Sequence, residues 1–513
     1  MMYPAQTSFI PVIVAIVRFT EEHGFGGLYP FWYLGSTPVK YLTGPVVPSL
    51  LTALHKVLGG VSLFDLSFFL ILTSFLVSSV GWGMLAWQLS GRRIYCYIVG
   101  LLTLFAPWHW ISAFALSDVS AILATALTPW VLLAFVYSLD INNFQFIIFN
   151  FHSIFKFKFL NIKNSLIISN LKLKILFPAL LFALLLLTNT TASIPAIIGL
   201  IILGVIMYKK WELGLKRVGL VILLGWFLTL WWYPPNYWLT LLAAPSIGGS
   251  SAAGTLIHLV NLMRGFVPVI LAIFLVAWGV GKKDLFGKFS LSWFSVFGLL
   301  TLFRFFGDVK FWLDWTSWIG EVEIGLVLLF ARNFQFSLFN FQSNHNFKFL
   351  NIKNPIFYLL VAIYFAFGWF FAWQNRSFWL PRSNIDNTVE YKIANWLSNN
   401  LTMKQLNNSP TVFLSGSTAF WLNALVDVRQ VRGGVDQVSQ DPSWRQAVWE
   451  IREGATTEGT ERVLKELKIN YIVVHTEQSD EFYHDFKYPE KFGQIPSLEK
   501  IYDQEGDVIY EIK

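Results

Sequence analysis

Charge is what this sequence has least of. Charged residues make up 13% of its 513 positions and apolar residues 55%, whereas a soluble domain of average composition carries about 25% charged residues. That leaves too little polar surface to hold a chain of this length in water. An ordinary soluble enzyme is excluded, and a polytopic membrane protein is implied. Cysteine is nearly absent too: Cys96 stands alone in an apolar run, so the chain contains no disulfide framework. Met1-Met-Tyr-Pro-Ala lacks the basic flank and apolar core of a cleaved leader. Acidic residues are scarce in the first part of the chain and not in the last. Residues 1–374 hold 23 Lys/Arg against 11 Asp/Glu, and residues 375–513 hold 15 against 20. The net charge of +7 is therefore a basic membrane part joined to a mildly acidic soluble part, and nucleic-acid binding does not follow from it.

What is present begins with an aromatic stretch, Phe25–Pro48, interrupted by Gly26, Gly27, Gly35, Gly44, Pro30, Pro38, Pro45 and Pro48. So many breakers forbid a spanning helix. Trp and Tyr among turn residues suit a structured loop at a membrane–water interface, either an ordinary interfacial loop or a platform facing a substrate, and the rest of the chain is organised around it. Ser8–Phe19 before it is apolar but only 12 residues long and contains Pro11. A span needs roughly 20 residues, so an interfacial or re-entrant helix is expected there. Ten spans are expected near 63–89, 94–113, 119–139, 175–188, 193–208, 218–233, 261–280, 289–306, 312–331 and 355–374. The break at Asn189–Pro195 makes a tight hairpin of the fourth and fifth. Alternate connections then carry 17 Lys/Arg on one side and Lys310 alone on the other. The basic side is cytoplasmic by the positive-inside rule, which puts the opening loop and the C-terminal part outside. The expected domains are an external interfacial loop region (1–62), a transmembrane domain (63–374) and an external soluble domain (375–513).

Ionisable residues collect at the outer ends of the spans: His109, Asp118, Arg264, Arg304, Asp308, Asp314, Glu321 and Glu323. An acid at mid-span costs roughly 2.5–3.5 kcal/mol, so each needs a reason: an interfacial anchor, or a wall of a polar outer-leaflet cavity. The outer loops add Glu21, Glu22, Lys40 and Trp231-Trp-Tyr-Pro-Pro235. Two segments, 143–164 and 333–354, match at 16 of 22 positions without extending into the flanking helices. They read as a low-complexity insertion tolerated in inner loops.

Beyond Gln374 the pattern changes. Val389, Ile393, Trp396 and Leu397 have helical spacing within 386–400, and helices are expected at 442–453 and 460–467. Strands are expected at 411–414, 471–475 and 508–512, giving a small α/β domain. It contains no glycine-rich phosphate loop, metal-spaced His/Cys group or nucleophile elbow. Ser415-Gly-Ser-Thr418 after a strand looks like a weak anion site, or a turn capping the next helix.

Tyr29-Pro-Phe-Trp-Tyr-Leu-Gly35, Trp231-Trp-Tyr-Pro-Pro235, Val431-Arg-Gly-Gly434 and Asn470-Tyr-Ile-Val-Val-His475 together resemble the bacterial and archaeal membrane proteins called 6-pyruvoyl-tetrahydropterin synthase-related. That family belongs with the GT-C glycosyltransferase-like fold. The resemblance covers most of the chain except the two repeats. It implies a plasma-membrane protein that takes a sugar from a polyprenyl-phosphate carrier at the outer leaflet, using an acid in the first outer loop, basic residues at the carrier phosphate and, by analogy, a divalent cation. An acid there can deprotonate an acceptor hydroxyl or hold a metal, and a cation stabilises the departing phosphate.

The expected acid is not found, because Ala5-Gln6-Thr7 stands at its place and a first span is lacking. Glu21 and Glu22 are the nearest acids and become the base candidates. Arg264 and Arg304 become the phosphate ligands, with His109, Asp118, Glu321, Tyr29, Trp32, Lys40 and Trp232 lining the substrate site. A non-catalytic scaffold that binds a lipid-linked glycan or a partner is the alternative, and a transporter the third reading. No inverted repeat and no mid-depth ionisable group favour a transporter.

Overall fold

The computed structural model describes residues 1–139, 171–208, 211–244, 284–306, 315–339, 355–401, 410–441 and 443–513, with isolated helical positions at 254, 257 and 271. Helix α1 (Ile10–His23) starts on Pro11, whose missing N–H costs nothing in a first turn, and stops at Gly24 with φ of 70°. It is apolar on all sides, and ten of its fourteen residues are buried. It packs against α2 (Val46–Leu58), α3 (Leu63–Ser90) and a helix of the C-terminal domain. The stretch expected as a short interfacial helix is thus central to the packing. Between α1 and α2 the strands β1 (Leu28–Tyr29) and β2 (Thr37–Pro38) pair antiparallel around a tight turn.

Helix α3 begins where Ser62 Oγ accepts from the Asp65 N–H at 3.1 Å, and ends at Gly91, whose left-handed φ of 73° closes the last turn. Its 28 residues make it about 42 Å long. Next come α4 (Arg93–Leu104) and α5 (Pro107–Ala115), bent by 41° across the break, and α6 (Val119–Leu139). Helices α7 (Leu171–Thr188) and α8 (Ser193–Met207) are joined by a short turn and pack mainly on other helices, so only the turn of the expected hairpin is seen. Asn189 Oδ1 accepts the N–H groups of Thr191 and Ala192 at that turn. Helix α9 (Trp211–Leu228) meets α8 at Gly204 and Gly214, where a Cβ on Gly214 would lie 1.9 Å from the Gly204 carbonyl oxygen. Such close backbone contact is how helices associate where apolar surface alone gives no preference.

Then follow α10 (Pro235–Ala243), α11 (Leu285–Phe306), α12 (Trp315–Phe339) and α13 (Pro355–Gln374). The expected crossing at 261–280 and the repeat at 143–164 lie outside the described residues, and apolar helices occupy the other nine expected positions. Two differ in extent. Helix α9 starts seven residues early and stops short of Pro234-Pro235, and α12 runs on into residues 333–339, because adding turns to a formed helix is cheap. Three described helices are long and apolar enough to cross a bilayer: Leu63–Ser90, Val119–Ser138 and Leu285–Leu302. The bent α4–α5 pair is a fourth if taken as one broken span.

The C-terminal part is a five-stranded sheet in the order β4-β3-β5-β7-β6: β3 (Thr411–Phe413), β4 (Arg429–Gln430), β5 (Tyr471–His475), β6 (Leu498–Gln504) and β7 (Asp507–Ile512). The first three are parallel, and β7 and β6 run antiparallel. Helices α14 (Val389–Asn400), α15 (Ser417–Leu425), α16 (Ser443–Glu453) and α17 (Thr457–Glu466) cover it. Side chains alternate between two cores, as a sheet covered on both faces requires. Val412, Val473 and Ile509 enter one core with α14, while Phe413, Ile472, Val474 and Tyr510 enter the other. That second core continues into the opening stretch through Tyr29, Trp32 and Tyr33, and on to Trp232 and Tyr237.

Candidate functional site

The break between α4 and α5 organises the polar residues among the membrane helices. Pro107 opens α5, leaving its first N–H groups without partners inside the helix. Glu323, from α12, supplies them: its carboxylate accepts from the N–H groups of Trp108 at 3.2 Å and His109 at 3.1 Å. It also meets His109 Nδ1 at 2.7 Å and accepts from Tyr364 Oη, on α13, at 2.9 Å. The fully buried acid is thereby held by four donors at the positive end of a helix, which offsets the cost of placing it there. Glu321, two positions earlier on α12, is 3% exposed, and its Oε2 has no hydrogen-bond partner among the described residues. His109 and Glu323 are thus in direct contact. Tyr364 carried no sequence signal, being one aromatic among many in α13.

The aromatic residues of the opening stretch form a seam with the C-terminal domain. Trp32 is completely buried and donates from Nε1 to Asn423 Oδ1 at 2.8 Å. Its ring lies on Gly433, where a Cβ would fall 2.3 Å from Cγ. Gly434 gives Val12 the same access, at 2.5 Å. The Gln430 N–H donates to Phe31 O at 2.8 Å, and Arg18 reaches Asn423 O at 3.1 Å and Asp427 at 3.5 Å. Tyr29 is 1% exposed and lies tilted against Trp32, with ring centroids 4.7 Å apart. Trp232 donates to Thr43 O at 3.2 Å and meets Phe25 edge-on. Trp32 thus faces the C-terminal domain, with Tyr29 beside it, because Gly433 leaves room for a flat ring.

The remaining candidates are dispersed. Glu21, near the end of α1, pairs with His55 of α2 at 2.9 Å, while Glu22 beside it is exposed. Asp118 caps α6, its Oδ1 accepting from the Ala121 N–H at 3.0 Å. Lys40 Nζ sits 5.9 Å above the Tyr41 ring. Arg264 and the side chain of Arg304 lie outside the described residues. Among the described residues no group of three His, Cys, Asp or Glu is placed to hold a metal ion, and Glu21 with His55 offers only two donors.

Sequence reading missed a polar network in the C-terminal domain. The Ser415–Thr418 turn, which resembled an anion site, is filled by the chain's own carboxylates. Asp485 accepts from the Gly416 N–H at 3.1 Å and from Ser415 Oγ, and pairs with Arg452 at 3.0 Å. Glu481 accepts from the Ser417 N–H at 2.8 Å, and both Glu481 and Glu390 contact Ser417 Oγ. Burial pushes the Glu390 carboxyl above its usual range, and the nearby Glu481 adds to this. Thr418, His475 and Asp507 line up like a nucleophile, base and orienting acid, at 3.2 and 2.8 Å. All three are at least 96% buried, and Thr418 Oγ1 already bonds to Ser415 O at 2.6 Å. The arrangement is a core brace without access to substrate.

No protein-family model matches the chain, and no curated protein matches it in sequence. Solved structures do match. The Archaeoglobus fulgidus oligosaccharyltransferase in complex with Zn and sulfate aligns with a TM-score of 0.53 at 13% identity, over 100% of this chain and 69% of that one. The archaeal oligosaccharyltransferase AglB from Archaeoglobus fulgidus, in complex with an inhibitory peptide and a dolichol-phosphate, aligns with a TM-score of 0.50 at 11% identity, over 98% and 70%. At these identities the likeness is one of fold. The chain has a GT-C-like fold, a region of apolar helices followed by a C-terminal α/β domain.

Proposed function

We propose that this protein binds a polyprenyl-phosphate-linked sugar at the outer leaflet of a bacterial or archaeal plasma membrane and transfers its glycosyl group to an acceptor. The observation that carries this reading is the fold likeness over the whole chain to an oligosaccharyltransferase, one structure of which holds a dolichol-phosphate. In this reading residues 1–62 and 375–513 lie outside and 63–374 form the membrane domain. Glu21, oriented by His55, is the base candidate and Glu22 its neighbour. Arg264 and Arg304 take the carrier phosphate, since a guanidinium presents a planar fork of donors and stays charged. His109 and Glu321 supply polar wall, while Tyr29, Trp32 and Trp232, whose rings are covered, hold the loop above it in place.

The narrower kinship with 6-pyruvoyl-tetrahydropterin synthase-related proteins is part of the same proposal. In its support, two of the motifs that carry it meet at the seam, Trp32 lying on Gly433. A non-catalytic scaffold that binds the same carrier is the second reading. It is favoured by the His55 contact that already engages the Glu21 carboxylate and by the covered rings of Tyr29 and Trp32.

Binding of a polyprenyl-phosphate analogue to the protein in nanodiscs tests what both readings share. Saturable binding is expected, weakened about tenfold (~1.4 kcal/mol) in Arg264→Lys and in Arg304→Lys. No binding above that of empty discs, or unchanged affinity in both variants, would remove the proposal.

A further inference from the structure

Helix α13 has no charged residue, and its exposed apolar side chains Leu360, Ile363, Phe367 and Phe371 fall at helical spacing on one face. This is a lipid-facing stripe if α13 spans the membrane, as the proposed function holds. The stripe does not end with the helix. Trp373 is 66% exposed beneath the Arg376 guanidinium, at 4.9 Å, a pair suited to the headgroup level. Phe378 follows, exposed, and its ring lies 5.6 Å from that of Phe482.

Phe482 belongs to the C-terminal domain and is 48% exposed. It is not exposed through looseness. On one side Glu481 is 1% exposed and anchored to the Ser417 N–H at 2.8 Å. On the other, Asp485 is tied to Gly416 and Arg452. The Asp480 carbonyl accepts from Gln6 at 3.3 Å. A loop pinned this firmly holds its one large apolar ring outward, against the Phe378 ring that follows the α13 stripe in the chain.

We propose that Phe482 and Phe378 form a lipid-contacting seat by which the C-terminal domain rests on the membrane surface. The continuity of these rings with the α13 stripe selects lipid over a protein partner. The seat complements the Trp32 seam, so that the domain is held by the membrane part on one side and by the bilayer at this edge.

Spin labels on the full-length protein in nanodiscs test this. In a Cys96→Ser background, labels are placed at Phe482→Cys and Phe378→Cys. Leu360→Cys serves as the lipid reference and Glu505→Cys, in the turn between β6 and β7, as the water reference. Collision with oxygen, which partitions into lipid, is compared with collision with a water-soluble nickel chelate. The expected oxygen-to-nickel ratio at 482 and 378 is several-fold above that at 505 and approaches that at 360. If the 482 variant does not fold, the label at 378 reports the same surface. A ratio at 482 equal to that at 505 overturns the proposal, as does low collision with both reagents, the mark of a protein covering the ring. A water-like ratio at Leu360 would sink the spanning assignment of α13 itself, and this inference with it.

Discussion

Ser417 carries one hydroxyl hydrogen yet its Oγ contacts two carboxyl groups, at 2.6 Å to Glu390 and closely to Glu481. One contact uses the serine hydrogen, and the other requires a proton on a carboxyl. Burial raises the pKa of Glu390 and so favours its protonated form. The linkage has a definite sign. A carboxyl whose folded pKa lies above its unfolded value binds more protons when folded, so stability falls as pH rises from the unfolded value through the folded one. Thermal midpoints of the whole protein should therefore decline across the mildly acidic range, and the decline should be smaller in Glu390→Gln. Parallel pH profiles for the two proteins would refute the shared proton.

None of this was legible in the sequence. Ser415–Thr418 reads as a turn, and the acids that fill it arrive from 27, 64 and 69 residues away, where no spacing rule reaches. Glu321 and Glu323 were legible as expensive acids in an apolar run, but the helix end that Glu323 caps was not.

At the scale of elements, apolar runs located the helices well and their boundaries less well. The kink at Pro107 and the turn at Asn189 follow from residues that cannot continue a helix. Strand β6 escaped notice because its residues are mostly exposed and polar, and β4 because two residues make no pattern. The opening stretch was legible as an organising element, although its Trp32 ring turned out to face the C-terminal domain. The docking depends on Gly433. A methyl group there would overlap the Trp32 indole, whose burial is worth roughly 4–6 kcal/mol by area. Gly433→Ala should lower stability by about 1–3 kcal/mol, the usual cost of overpacking. Denaturant titration in detergent would check it, and a midpoint equal to that of the parent would mean that the seam tolerates separation.

The whole molecule was legible as a class before it was legible as a site. Sparse charge, one-sided basic loops and a change of composition at residue 375 together called for a helical membrane region with an α/β domain behind it, and the GT-C-like fold has that form. The polar cluster was less legible because its parts come from distant segments: His109 from α5, Glu323 from α12, Tyr364 from α13. What separates an enzyme from a scaffold of the same shape is turnover. The most direct measurement supplies the purified protein in nanodiscs with a polyprenyl-phosphate carrying a labelled sugar, in the presence of cell-wall or protein acceptors, and follows release of the sugar from the carrier. The account predicts transfer by the parent protein and a loss of about a hundredfold or more in Glu21→Gln, the usual effect of removing a general base. Carrier that binds yet keeps its sugar, or a Glu21→Gln variant as active as the parent, would contradict it.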